Sequence, residues 1–342
     1  MPIGSGLSAQ LGIAEESTYG TIVAPPTRYL EFLSESLSLS KNIVQGQGMR
    51  GGGQYARSSR RAYTTRGVAG SFELEAATRG MGLLFKHMLG ASSSAVVSGS
   101  AYQQVHTPGS LTGKSLSVQV GRPTTGGTVV PFTVSGGKVA SWSLACEVGG
   151  IATLSCDLDG KDVTTATALG TASYVDAGVF QFAQGALVLG GTVSTASGVA
   201  SLTGGTTVAE VTGATITGTN PQATERYYFG AAGTKAEPVE NDWRSLGGSL
   251  DGEFVNQATI YDLMAADTET ALKLTFTGTT AITGAVYPTL EVLIPSIRFD
   301  TGTPTVSGPD LLTLAADFTG LQNAAGDAAV QIRYVTADTT VS

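Results

Sequence analysis

Residues that carry chemistry are scarce in this chain. Its 342 residues include two His, two Cys and two Trp. Asp, Glu, Lys and Arg together make up 13%, about half the usual share of roughly a quarter. With 42% hydrophobic residues this is not a disordered composition. It fits a surface that lies against other subunits, where charged residues are depleted. No run of about 18–20 apolar residues occurs, so no membrane span and no membrane partner are expected. Residues 1–10 lack the basic and apolar segments of a secretion signal, which points to a cytoplasmic setting. Positive charge is short as well. The balance is 19 Lys and Arg against 27 Asp and Glu, net −8, which argues against wrapping nucleic acid tightly.

The same scarcity weighs against catalysis and against cofactors. His87 sits in a short apolar segment and His106 beside Pro108, and neither belongs to a Ser-His-Asp, Cys-His or metal-ligand constellation. Gly46-Gln47-Gly48-Met49-Arg50-Gly51 is literally G-x-G-x-x-G. It is followed by residues that cannot open the packed helix a pyrophosphate site needs. Ser110-Leu111-Thr112-Gly113-Lys114-Ser115 approaches a phosphate loop, but Pro108 replaces the first glycine and a strand follows. Asp157, Asp159 and Asp162 around Gly160 read as a hairpin turn rather than a calcium loop. The chain is therefore read as a non-enzyme with no cofactor and no metal.

What is abundant is Gly, with 46 residues, together with Ser, Thr and Val, the composition of strands joined by tight turns. Alternation predicts about a dozen strands: an all-β-dominated sandwich or barrel with two short helices, at 81–89 and 258–266, and one long extended loop. Four strands are expected as a meander over 114–159, with a turn at Gly136–Gly137. Pro295 places its strand at an edge or a bulge. Cys146 and Cys156 fall on one buried face of adjacent strands. A three-residue loop at 149–151 would set Cys146 opposite Leu154 and Cys156 opposite Leu144, a diagonal geometry that leaves two buried free thiols. One domain is expected over 1–342, with an N-terminal arm at 1–28 and a Gly/Arg-rich loop at 41–67. In the region 162–224 only Asp176 and Glu210 are charged beyond Asp162 itself, and pattern does not place it in the main sheet or outside it.

The loop at 41–67 organises the reading. Lys41, Arg50, Arg57, Arg60, Arg61 and Arg66 lie between Glu35 and Glu73 with no acid among them. Without these six the chain has 13 cations against 27 acids, a body at −14 beside a loop at +6. Three readings stand: a nucleic-acid patch, a solvated loop, or an arm that meets the acidic surface of a neighbouring copy. The first lacks aromatics beyond Tyr55 and Tyr63. The last is favoured because a structureless loop this long in a compact domain usually has a function. Its contact residues are then Lys41, Arg50, Tyr55, Arg57, Arg60, Arg61, Tyr63 and Arg66, with Glu15, Glu16 and Tyr19 on the N-terminal arm.

The order of several segments carries a resemblance. They are LGIAEESTYGT with Glu16-Ser17-Thr18-Tyr19-Gly20-Thr21, YLEFLSESL, the Gly/Arg loop, GSFELEA and GKVASWSLACEVGGIATLSCDLDG. SLGGSLDGEF with YDLMA, and TLEVLIPSIRFDTGTPTVSGPDLLTLAADF, follow. Together these resemble the major tail tube proteins of long-tailed bacteriophages, in the form common among phages of actinobacteria. The resemblance implies a structural virion protein with a β-sandwich tail-tube fold. Six copies would close into a ring, and rings would stack into a tube that conducts double-stranded DNA into the host. It implies assembly in the host cytoplasm and location in the virion tail. Its partners would be other copies of itself and the tape measure, terminator and distal tail proteins, with DNA only in transit. The alternatives are another ring-forming tail component, such as a terminator or distal tail protein, and a cell-surface adhesive β protein. A carbohydrate-active enzyme would need convergent carboxylates, which do not stand out.

Overall fold

The computed structural model describes residues 4–306 and 308–341. Two antiparallel sheets enclose one hydrophobic core. The first runs Ser38–Gln45, Arg61–Glu75, Thr153–Gly160, the C-terminal half of Val129–Glu147, Val211–Thr219, Ser245–Glu253 and Thr313–Gly320. The second runs Gly185–Leu189, Thr270–Thr277, Thr289–Phe299, Gln331–Thr336, Ala101–Pro108 and Gly90–Ser98. They are continuous where the end of Thr289–Phe299 pairs with Phe318–Gly320. Alternation explains the layering, because residues two apart on a strand share a face. Phe72, Leu74, Leu144, Leu154, Ile216 and Phe318 of the first sheet join Leu274, Phe276, Val292, Ile332 and Tyr334 of the second in one buried cluster.

A smaller sheet lies alongside. Gln10–Glu16 pairs with Arg28–Leu30 and with Ser115–Pro123, which pairs in turn with the N-terminal half of Val129–Glu147. The expectation of an extended N-terminal arm over 1–28 is corrected here. Leu11, Ile13 and Ala14 are fully buried, so the Leu/Ile spacing that looked loose among small residues is a central strand. The turn expected at Gly136–Gly137 is corrected as well. Val129–Glu147 is one strand of 19 residues, and Gly136, at φ +65°, bends it from the small sheet into the first sheet. A Cβ at Gly136 would stand 2.8 Å from the Tyr19 ring, so the corner needs glycine on two grounds.

Other elements follow local chemistry. The helix Gly82–Leu89 ends at Gly90, φ +107°, whose N–H donates to the Lys86 carbonyl, and it buries Leu84, Phe85 and Met88 against the core. The second helix shrinks to Tyr261–Ala265, because Asn256 accepts from the Ala258 N–H at 3.0 Å and holds the preceding residues in a turn. Pro295 sits where the register of Thr289–Phe299 against Thr270–Thr277 slips, the bulge its missing N–H requires. The cysteine register is two residues from the expected one. Leu154 faces Leu144 and Cys156 faces Trp142, because the connection opens at Glu147, whose carbonyl accepts from the Gly150 N–H at 2.9 Å. Both cysteines are free and buried.

The region 162–224 divides. Val211–Thr219 is an interior strand of the first sheet and Gly185–Leu189 belongs to the second. Thr192–Ala196 and Val199–Thr203 form a separate two-stranded ribbon, exposed along much of its length.

Candidate functional site

The cationic segment is mostly a β-hairpin and only partly a loop. Ser38–Gln45 pairs with Arg61–Glu75 in continuous register from Ser38–Ala69 to Gln45–Arg61, with one bulge at Asn42/Ile43. Irregular chain is left only at the tip, 46–57, closed by the turn Ser58–Arg60. The expectation of a structureless stretch over 41–67 is thereby corrected. Polar residues on both faces hid the period, and Leu39, Ile43, Val44 and Tyr63 are all exposed. Arg61–Glu75 leaves its partner Gly160 at Val68 but stays against the body through Thr64, beside Gly233, and past that point the hairpin runs on as a ribbon.

Its root is clamped by the body's own charges. The Arg122 guanidinium donates to both Glu35 carboxylate oxygens at 2.9 and 2.8 Å and to the Leu37 carbonyl at 2.5 Å. Arg122 also lies over the Phe132 ring. The Glu35 carboxylate accepts the Leu37 N–H at 3.0 Å. On the other strand Arg66 pairs with Asp162 at 2.7 Å, and its N–H donates to the Gly233 carbonyl at 2.9 Å. Lys235, buried beneath Gly67, pairs with Asp159 at 2.5 Å. Burial pushes the Asp159 carboxyl up from its ordinary value, against the opposing pull of Lys235.

The expected contact residues therefore separate. Arg66 is engaged by its own body. Lys41 lies 5.7 Å from the Tyr63 ring centroid. Lys41, Arg50, Arg57, Arg60 and Arg61 have no acidic partner among the described residues, and Tyr55 stands almost fully exposed at the tip. Of the N-terminal set, Glu15 pairs with Lys86 at 2.6 Å. Tyr19 lies under Lys161, and burial raises its phenol pKa. Glu16 is 2% exposed and turned inward. It accepts the N–H groups of Gly20 and Gly136 at 2.7 and 2.9 Å and the hydroxyls of Ser115 and Ser117 at 2.6 and 2.9 Å. Its role as an outward contact is corrected: Glu16 ties the Tyr19–Gly20 turn to the Gly136 corner.

The first sheet has an outward face that the sequence reading did not single out. Cross-strand register builds its rows. Glu73, Ser155, Ser143, Thr217, Gly247 and Thr319 form one, and Glu75, Thr153, Ala145, Thr215, Ser249 and Asp317 the next. Glu147, Gly213, Asp251 and Ala315 continue it. Asp157 stands opposite Ser71 and Ser141. In these rows the outward positions are small, hydroxylated or acidic; the next row, toward the hairpin, sets Lys138 opposite Asp159, with Lys138 buried and paired with Glu237. The signal was present as odd-numbered residues opposite the even-numbered apolar ones, but strand order is needed to see them as one surface.

The motifs set aside on sequence are occupied from within. Glu237 accepts the Gly113 N–H at 2.6 Å and Glu240 the Leu111 N–H at 3.3 Å, so carboxylates hold the amides a phosphate would need. Asp159 and Asp162 are taken by Lys235 and Arg66, and Asp157 bonds the Ser141 hydroxyl. No metal-ligand cluster is found among the described residues. Burial pushes the His87 and His106 imidazoles down to about 3, so both are neutral packing groups. No described helix is long and apolar enough to cross a membrane.

A search of curated proteins returned no match. The family model described as phage tail tube protein matches residues 6–320, a span that takes in the arm, the small sheet and all six body strands of the acidic face. The chain belongs to the phage tail tube protein family, structural proteins of the virion tail.

Proposed function

We propose that six copies of this chain close into a ring, that rings stack into the tail tube of a long-tailed phage of the actinobacteriophage type, and that the outward face of the first sheet lines the lumen. One observation carries the reading: that face bears Glu73, Glu75, Glu147, Asp157, Asp251, Glu253 and Asp317 among small residues, and Lys138, opposite Asp159, is buried against Glu237 rather than presented to solvent. A cationic lining would hold DNA phosphates by releasing their counterions. An acidic lining of short side chains repels them and lets a duplex slide. An ordinary solvated face mixes both signs. Closure into a ring also covers free sheet edges such as that of Gly90–Ser98, which otherwise invite uncontrolled pairing. In this reading the subunit assembles in the host cytoplasm without a cofactor. The tube ends meet the tape measure, terminator and distal tail proteins.

Electron microscopy of the purified protein tests the proposal. Long tubes of uniform diameter are expected, whereas single rings would favour the terminator or distal-tail reading. Within tubes, Ser143→Lys with Ser155→Lys and Thr217→Lys places a cationic row across the proposed lumen. These tubes should retain double-stranded DNA at low salt and release it as salt rises, where wild-type tubes retain none. A density map showing the row on the outer wall would refute the assignment.

A further inference from the structure

A second, shorter projection stands beside the cationic hairpin, where Gly233 lies against Thr64. Between Val211–Thr219 and Ser245–Glu253 the chain folds Gln222–Ala223 on Val239–Glu240. Two buried lysines pin this segment to the body: Lys138 pairs with Glu237 at 2.6 Å and Lys235 with Asp159 at 2.5 Å. Its tip turns through Gly230, Ala232 and Gly233, all left-handed, and closes with the Ala231 N–H on the Tyr228 carbonyl at 3.3 Å. Ala232, at φ +50°, is strained for a residue with a Cβ, so its surroundings impose the turn. The turn lifts Phe229 fully into solvent. Behind it the Arg226 guanidinium lies 6.0 Å from the Tyr228 ring centroid. Arg226 pairs with no carboxylate among the described residues. A rigidly presented, exposed aromatic ring is the kind of anchor that contact surfaces use.

The opposite end of the sandwich is left open. Cys146 faces Ala214 there, and Glu147 faces Gly213. Gly185 and Ala186 of the second sheet line the same space. These residues are too small to close the gap between the sheets. A cavity of about 350 Å³ remains, walled by Cys146, Leu187, Val208, Val211 and Phe276, where an interior would otherwise be close-packed. Glu147 and Asp251 flank its rim, 3.8 and 3.6 Å from where a Cβ on Gly213 would lie. Phe229 and the cavity are separated by the length of Thr153–Gly160, roughly 25 Å at about 3.3 Å per residue, so no copy fills its own.

We propose that this cavity is a binding site for one aromatic side chain, and that Phe229 of a second copy fills it while Arg226 meets the Glu147–Asp251 rim. The inference rests on the tube reading and concerns a site separate from the cationic hairpin. Apolar walls receive an apolar ring, and an unpaired cation comes to two acids, so charge and shape agree on the same occupant. The two surfaces differ and lie at opposite ends of the subunit, so the contact is heterologous and repeats along the strand direction.

Cys146 reports on the site without any substitution, because it lines the cavity while Cys156 is fully buried. Methyl methanethiosulfonate should modify Cys146 in free subunits and leave it unmodified in tubes. Phe229→Ala should raise the protein concentration needed for elongation by roughly tenfold or more, the loss expected on truncating a central aromatic anchor. Circular dichroism of this variant should stay native, and Phe229→Trp, which keeps an aromatic ring, should elongate as wild type does. Doped sparsely into wild-type tubes and oxidised in air with copper phenanthroline, Phe229→Cys should form a disulfide with Cys146 of the adjoining copy. A covalent dimer then appears on a non-reducing gel, and none in tubes of Cys146→Ala chains. Wild-type tubes whose Cys146 reacts as fast as in free subunits, or normal elongation of Phe229→Ala, overturn the insertion and leave the tube reading standing. Protection of Cys146 that grows with concentration while only short oligomers form supports the insertion and overturns the tube reading.

Discussion

Replacing Glu16 by Gln should destabilise the folded subunit by about 2–4 kcal/mol. The carboxylate takes four donors, two on each oxygen: Gly20 N–H and Ser115 Oγ on Oε2, Gly136 N–H and Ser117 Oγ on Oε1. Glutamine converts one of those oxygens into a donor. A serine hydroxyl can rotate and accept, but a backbone N–H cannot, so either Gly20 or Gly136 is left facing an NH2 group. One buried backbone donor then goes unsatisfied, at about 1–3 kcal/mol, and the other contacts weaken because the acceptor is no longer charged. Ser115→Ala, which removes a single hydroxyl, should cost only about 1–2 kcal/mol. Urea denaturation of the unassembled subunit gives both numbers, and hydrogen exchange should show the Gly20 or Gly136 amide accelerated in the glutamine variant. A stability within about 0.5 kcal/mol of wild type, the scatter of surface substitutions, would refute the inward role of Glu16. An assembly defect without loss of subunit stability would return this residue to the interface.

Two further outcomes follow from buried charge and its absence. His106 is held neutral, its pKa pushed by burial from the ordinary 6.5 down to about 3. The unfolded chain therefore takes up the proton first, and the stabilisation, whole above pH 6.5, is lost as pH falls from there toward 3. His106→Leu should flatten that loss by up to about 1.4 kcal/mol per pH unit. Equal pH slopes for the two proteins in urea midpoints between pH 7.5 and 5 would contradict the assignment. Arg122→Ala strips the Glu35 carboxylate of its bidentate partner. With Arg122 about one-third exposed, the cost is discounted to about 1–2 kcal/mol. Hydrogen exchange should quicken over Ser38–Gln45 and the start of Arg61–Glu75 while Thr289–Phe299 stays protected, and uniform quickening would show that Arg122 does not act at the root.

Strands with one buried face were legible because alternation records burial directly. Leu154, Cys156 and Leu158, or Leu272, Leu274 and Phe276, could not lie otherwise, and the helix at Gly82–Leu89 was marked by its spacing and its terminal glycine. What escaped depended on partners distant in sequence. Gly136–Gly137 looks like a hairpin turn until Tyr19 and the small sheet are in place around it. The cysteine register differs by two because the chain turns one residue earlier than the expected loop, with the Gly150 N–H on the Glu147 carbonyl. The arm passes for a loop because a ribbon with no buried face writes no period. The acidic face was invisible for a different reason: its members are scattered from Glu73 to Asp317, and each alone is an unremarkable solvated acid. The family resemblance came through because it rests on the order of many weak segments rather than on any one site.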